Sequence, residues 1–142
     1  MKRFTNKLAT AAAVLMVTAG VASAQSALKA EIPFAFSAGG KVTEPGTYQL
    51  RFMRGAGSHG VFGIYNNATK HGVLALAMYA EDPPKTWQTT GEARVAFDCS
   101  SGACVLAKIW LGEGSSYAFA GPRKKSGEML LTEIVMKRAN GD

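Results

Sequence analysis

The stretch AEIPFAFSAGGKVTEPGTYQLRFM, residues 30–53, indicates the architecture of the chain. Apolar residues alternate with small or polar ones near both of its ends, as in a β-strand with one buried face. These apolar residues are Ile32, Phe34, Phe36, Tyr48, Leu50 and Phe52. Between them, Glu44-Pro45-Gly46-Thr47 suits a type II turn, because proline presets the first central dihedral and glycine accepts the positive φ of the second. The segment therefore predicts an antiparallel hairpin with a long connection.

Residues 1–24 have the pattern of a secretory signal peptide. Basic residues precede an apolar or small run over residues 8–21, and Ala22-Ser23-Ala24 fits the small-x-small sequence that signal peptidase cuts after. A retained anchor helix is the less favoured alternative, because a bilayer span needs about 20 strongly apolar residues. We expect the mature chain to begin at Gln25, to form one domain over residues 25–142, and to lie in the periplasm or outside the cell.

The charge of the mature chain is modest. The full sequence carries 16 basic and 10 acidic residues, a net charge of +6. Removing Lys2, Arg3 and Lys7 with the leader leaves 13 basic residues against 10 acidic ones, or +3. A nucleic-acid-binding protein is expected to keep a strongly basic face, so we expect no nucleic-acid partner, and no membrane span in the mature chain.

Cys99 and Cys104 are the two cysteines of the sequence, and four small residues separate them. A glycine in that interval can take a left-handed turn position, so a disulfide at the tip of a hairpin is sterically reasonable. Neighbouring thiols in an oxidising compartment usually pair. The alternative, a redox-active pair, is less favoured, because such pairs usually lie two residues apart at the start of a helix.

Two further features suggest contact with a partner. Trp87 lies in the polar, proline-containing segment 81–91, which we interpret as a loop. Its side chain either provides an exposed contact or folds back over the sheet, and the second is favoured. The basic residues Arg123, Lys124 and Lys125 either contact an anionic surface or form a solvated turn, and the turn is favoured.

Further strands are predicted along the rest of the chain. Residues 72–80 fit a strand covered on both faces, with a short buried helix as the alternative. Residues 92–98 and 105–111 are predicted to form a hairpin around the two cysteines. Direct pairing of these two strands points Lys108 inward, unless a bulge shifts the register or Lys108 lies at an edge. Residues 129–137 fit a strand better than a helix. The fold expected is all-β, a single small antiparallel sandwich or closed barrel of about seven to eight strands after an N-terminal signal helix.

No arrangement of residues in the sequence indicates catalysis, a metal or a cofactor. His59 and His71 lie beside glycines, in segments that we interpret as loops, and they lack metal-binding spacing. Residues 55–60 match G-x-G-x-x-G formally, but strand-like residues follow where a dinucleotide site needs a helix. We therefore expect no enzyme activity, no cofactor and no metal site.

Several segments resemble a group of small exported bacterial proteins. Ile32-Pro33-Phe34-Ala35-Phe36 and Pro45-Gly46-Thr47-Tyr48-Gln49-Leu50 are similar to that group's I-P-F-x-F strand and P-A-G-x-Y-x-L turn and strand. Residues 95–97 and 105–110 are similar to its second shared hairpin. The chain departs from the group at Glu44 and in carrying two cysteines where the group has a Y-G turn. The resemblance implies export and a β domain, but no activity and no site residues.

Together these features predict an exported, non-catalytic β module that binds another macromolecule or assembles with itself. The alternative is a carrier in which the strands close around a cavity for a small apolar ligand.

Overall fold

The structure, a computed structural model, describes residues 27–54, 59–121 and 130–139. Within these ranges the protein is all-β apart from one short helix, α1, at Lys85–Thr90. The strands are β1 Leu28–Ile32, β2 Phe36–Ala38, β3 Lys41–Thr43, β4 Gly46–Arg54, β5 Gly60–Asn66, β6 His71–Glu81, β7 Arg94–Asp98, β8 Cys104–Trp110, β9 Ser116–Phe119, β10 Leu131–Val135 and β11 Lys137–Arg138.

These eleven strands form a single mixed sheet, in the order β10-β7-β8-β9-β6-β5-β4-β1-β11, with β2 joined to β8 and β3 joined to β2. All neighbours are antiparallel except β2 and β8, which are parallel. The sheet is open, not a closed barrel. Its two outermost strands, β10 and β11, are separated along the chain only by Met136, whose backbone N–H donates to the carbonyl of Ala93. The end of the chain thus crosses from one edge of the sheet to the other.

The predicted first hairpin is present in part, because Ile32 pairs with β4 but Phe34 and Phe36 do not. Strand β1 pairs with β4, with Leu28 opposite Leu50 and Ile32 opposite Gly46. The predicted type II turn is wrong, because Gly46 lacks a positive φ and begins β4. Its missing side chain instead admits Asn66, since a Cβ at this position would lie 2.8 Å from the amide nitrogen of Asn66.

The connection itself forms a small hairpin of β2 and β3. Its turn passes through Gly39 and Gly40, both with positive φ. Strand β2 does not continue the pairing of β1 with β4. It pairs with β8 instead, so Phe36 lies opposite Cys104.

The inner face of the sheet encloses one hydrophobic core. Phe36 lies at its centre, with its ring 5.1 Å from that of Tyr48 and 5.0 Å from that of Phe97, centroid to centroid. Near the other end, Phe62 contacts Phe52, Tyr117 and Phe119. The six alternating apolar residues of the opening stretch all belong to this core or pack against it, as their spacing predicts.

The sequence-based prediction gave too few strands. The first predicted strand divides at Pro33 into β1 and β2, β3 lies within the connection, and the last segment divides at Met136. That last segment is β-strand, as predicted. The interpretation of residues 81–91 as a loop is wrong in part, because helix α1 occupies half of it.

The position of Lys108 is explained by a bulge. Ala96 pairs with Lys108, whereas the next residue, Phe97, pairs with Leu106, so the register shifts by one residue of β8. Lys108 consequently lies on the outer face, where its Nζ contacts a carboxylate oxygen of Glu81 at 2.5 Å. Of the two alternatives that the sequence left open, the structure shows the bulge, which keeps this charge out of the core.

Candidate functional site

Helix α1 covers the outer face of the sheet over β7 and β8. The side chain of Trp87 is fully buried there against Ala96 and Trp110. The two indoles stack with their centroids 6.4 Å apart. This part of the sheet is therefore covered on both sides, by the core within and by the helix outside.

Local sequence explains why the helix is confined to this place. Pro84 precedes its first residue, and Gly91 ends it in the left-handed conformation with its N–H donating to the carbonyl of Trp87. The side-chain amide of Gln88 also donates to the carbonyl of Pro83. A helix of six residues is too short to be stable alone, so packing of Trp87 holds it in position.

The outer face of β4, β5 and β6 carries exposed apolar side chains instead. Leu74 is 58% exposed, Leu76 65% and Met78 56%. We call the following set the apolar face: Met53, Val61, Tyr65, Leu74, Leu76 and Met78. The sequence-based interpretation that residues 72–80 are covered on both faces is wrong. Ala75 and Ala77 point into the core, and the larger residues that alternate with them point outward.

Pairing between β5 and β6 arranges the outward residues in three rows. Tyr65 lies opposite Gly72, Gly63 opposite Leu74, and Val61 opposite Leu76. Each row thus places a larger side chain beside a smaller one. The ring of Tyr65 leans over Gly72, where a Cβ would lie 2.9 Å from a ring carbon, so the space above Gly72 is filled.

The space above Gly63 is open. Gly63 borders two clefts in the outer surface. The cleft toward β6 measures about 490 Å³, and its lining includes Lys41, Gly72 and Leu74. The depression toward β4 measures about 270 Å³ and is lined by Gln49, Arg51, Met53, Gly63, Tyr65 and Asn67. A Cβ on Gly63 would lie 3.6 Å from the sulfur of Met53 and 3.9 Å from a methyl group of Leu74, which are ordinary contacts. Gly63 has no positive φ. Neither its backbone nor its neighbours therefore require glycine, and the depression is a feature of the surface alone.

Charged residues border the apolar face on one side. Arg51 in β4 pairs with Gly63 in β5. Lys29 lies one strand further out, in β1, where it pairs with Gln49 of β4. Lys137 in β11 pairs with Lys29, so this rim is mainly basic. Apolar and charged residues are thus separated across the outer face.

Another cleft, of about 410 Å³, lies between β3 and the start of β6. Its lining includes Lys41, Glu44, Thr69 and His71, with Tyr48 at one side. Among the described residues, no group of three or more His, Cys, Asp or Glu side chains could hold a metal ion. His71 is exposed at the first position of β6 and not in a loop, whereas His59 is exposed just before β5.

Cys99 and Cys104 form a disulfide, as predicted. It closes the turn between β7 and β8, where Gly102 has a φ of +88°. The N–H of Gly102 donates to the carbonyl of Cys99 across this turn. Because Cys104 also begins the pairing with β2, the bridge anchors the place where the connecting hairpin joins the sheet.

The other residues singled out in the sequence are not brought together at one site. Trp87 is buried, so its suggested role as an exposed contact is wrong, and the interpretation in which it folds back over the sheet is confirmed. The remaining candidates lie outside the described residues: Ala22, Ala24, Gln25, Arg123, Lys124 and Lys125. The apolar face was missed, although the alternation of alanine with leucine and methionine in β6 is a signal that distinguishes its two sides.

Comparison with protein-family models, with curated proteins and with solved structures gave no match. In the parts of the chain that the structure describes, no helix has the length and apolar character needed to cross a membrane.

Proposed function

We propose that this protein is an exported, non-catalytic β module that binds a macromolecular surface through its apolar face. The observation that carries the proposal is the cluster of exposed apolar side chains on β4, β5 and β6. Together they expose on the order of 500 Å², near the upper end of what a monomer leaves open to water. An apolar patch of that size is often functional in a soluble protein.

The contrast between the two halves of the outer face supports this interpretation. Over β7 and β8, the chain covers Ala96 and Trp110 with a helix and buries a second tryptophan. Over β5 and β6, Leu74 and Leu76 have no such cover among the described residues. A surface that is covered in one half and apolar but bare in the other fits a module whose second half is covered by a partner.

Export is supported by the leader-like residues 1–24 and is compatible with the disulfide, because such bonds persist mainly in oxidising compartments. The carrier alternative has less support. At the centre of the core the rings of Phe36, Tyr48 and Phe97 are in contact, which leaves no room for a ligand there.

The experiment is site-specific photo-crosslinking in the cells that export the full-length protein. A photoreactive phenylalanine analogue replaces Leu76 in the apolar face, and in a matched control it replaces Gln88, which is exposed on α1. We expect macromolecular adducts from position 76 and few from position 88. Absence of adducts at position 76, or equal yields at both positions, contradicts the proposed function.

A further inference from the structure

We propose that the apolar face is occupied by a second copy of this chain, packed face to face about a two-fold axis that runs parallel to the strands between β5 and β6. This inference rests on the proposed function, since it names the partner for the same surface. Its basis is the arrangement of large and small residues in the three rows.

A two-fold axis in that position has a simple geometric consequence. Rotation about a line parallel to the strands keeps each row at its own height and exchanges β5 with β6. Leu74 therefore lies over the partner's Gly63, and Leu76 lies over the partner's Val61. In these two rows the larger side chain meets a smaller residue, and the relation is reciprocal, as an isologous interface requires.

The depression above Gly63 has the size that this packing needs. Its volume of about 270 Å³ accommodates one aliphatic side chain such as that of Leu74. Glycine within a strand weakens the strand and often marks the close approach of another group. A Cβ at Gly63 would meet its own neighbours at ordinary distances, so no group of the same chain fills the space above this glycine, and a side chain of a second copy has room there. In packed sheets, side chains of the facing surfaces interdigitate across roughly 10 Å.

The extent and charge of the surface also suit a dimer. A standard interface buries about 800 Å² on each partner. The apolar face supplies on the order of 500 Å² of this area. The adjoining Gln49, Arg51 and Gly72 form a rim around it that supplies the remaining area. Arg51 and Lys29 lie on or beyond β4, to one side of the two central strands, so the axis brings no like charges together at the centre.

The first test measures association of the full-length exported protein by sedimentation velocity from micromolar to near-millimolar concentration. We expect a monomer–dimer equilibrium in the unaltered protein. Gly63→Val fills the depression, and we expect it to weaken dimerisation by roughly ten-fold or more, as overpacking of a fitted contact does. The control is Thr132→Val, at an exposed position of β10, which should leave dimerisation unchanged.

A second measurement tests the same two-fold axis if Gly63→Val does not fold. Chains carrying Gly63→Cys are mixed with chains carrying Leu74→Cys and oxidised mildly. The proposed axis predicts that mixed cross-linked dimers exceed those formed by either variant alone. If the protein stays monomeric while position 76 still forms adducts with a different macromolecule, the proposal of a second copy is overturned. The proposed function is then unaffected. A dimer without mixed cross-links overturns the proposed axis.

Discussion

The indole ring of Trp87 lies over that of Trp110, with the ring planes 26° from parallel. One ring comes from helix α1 and the other from strand β8. The Nε1 of Trp110 donates to the carbonyl of Gly114, which orients the lower ring. The stack is a small second core, separate from the main one, and it joins the helix to the sheet.

Replacing Trp87 with alanine should therefore destabilise the protein strongly. We expect Trp87→Ala to lower the free energy of unfolding by about 3 to 5 kcal/mol, because a fully buried large side chain is lost and Trp110 is uncovered. Urea denaturation followed by circular dichroism measures this. Thr86→Ala, at an exposed position of the same helix, should change it by less than about 0.5 kcal/mol. Similar effects of both variants would mean that the stack contributes little.

A pair of phenylalanines tests the arrangement of the main core. Phe36 is buried between Tyr48 and Phe97, whereas Phe34 is half-buried and meets Phe97 edge-on at 5.2 Å. Phe36→Ala should cost about 3 to 5 kcal/mol of unfolding free energy, and Phe34→Ala roughly half as much. Thermal unfolding of the two variants shows which of them loses more unfolding free energy. A larger loss from Phe34→Ala would contradict the division between β1 and β2.

These two cases indicate what the sequence determines. Alternation in the opening stretch predicts which side chains enter the core, because period-two burial is a local property of a strand. It does not predict that the chain changes partner strands at Pro33, since Phe34 and Phe36 keep the same alternation whether they pair with β4 or lie beside β8. The disulfide could be predicted because it satisfies a local steric requirement. For Lys108 the sequence indicated only that a direct pairing was unfavourable, and it left a bulge and an edge position as alternatives.

The helix and the apolar face depend on tertiary packing instead. Helix α1 has one buried residue, Trp87, and its stability comes from a stack with a residue far along the chain, so its own pattern is weak. In β6, hydrophobicity alone does not tell the two faces apart. The core is already filled by rings such as that of Phe62, so it admits Ala75 and Ala77 and leaves the larger residues outside.

The turn of the connecting hairpin offers a test with a built-in control. Gly39 and Gly40 both have positive φ, but only Gly39 is crowded, because its Cβ would lie 2.2 Å from the carbonyl oxygen of Leu74. Gly40→Ala should cost about 1 kcal/mol through backbone strain alone. Gly39→Ala should cost more, about 2 to 4 kcal/mol, since the hairpin must also move away from β6. Chemical denaturation of both variants gives the difference, and equal losses would show that the turn is not held against β6.

The disulfide should add stability without being needed for the fold. The bridge closes a short loop, so in the chain-entropy model its removal lowers the free energy of unfolding by about 2 kcal/mol. Cys99 and Cys104 are partly buried and pack against the main core, so we expect the residues around Phe36 to hold the fold without the bond. We expect the double variant Cys99→Ala and Cys104→Ala to unfold cooperatively at a lower denaturant midpoint, with an unchanged far-ultraviolet spectrum. Reduction of the unaltered protein should lower the midpoint by a similar amount. If either change abolished cooperative unfolding, the pairing of β2 with β8 would depend on the bridge, and the disulfide would be essential to the architecture.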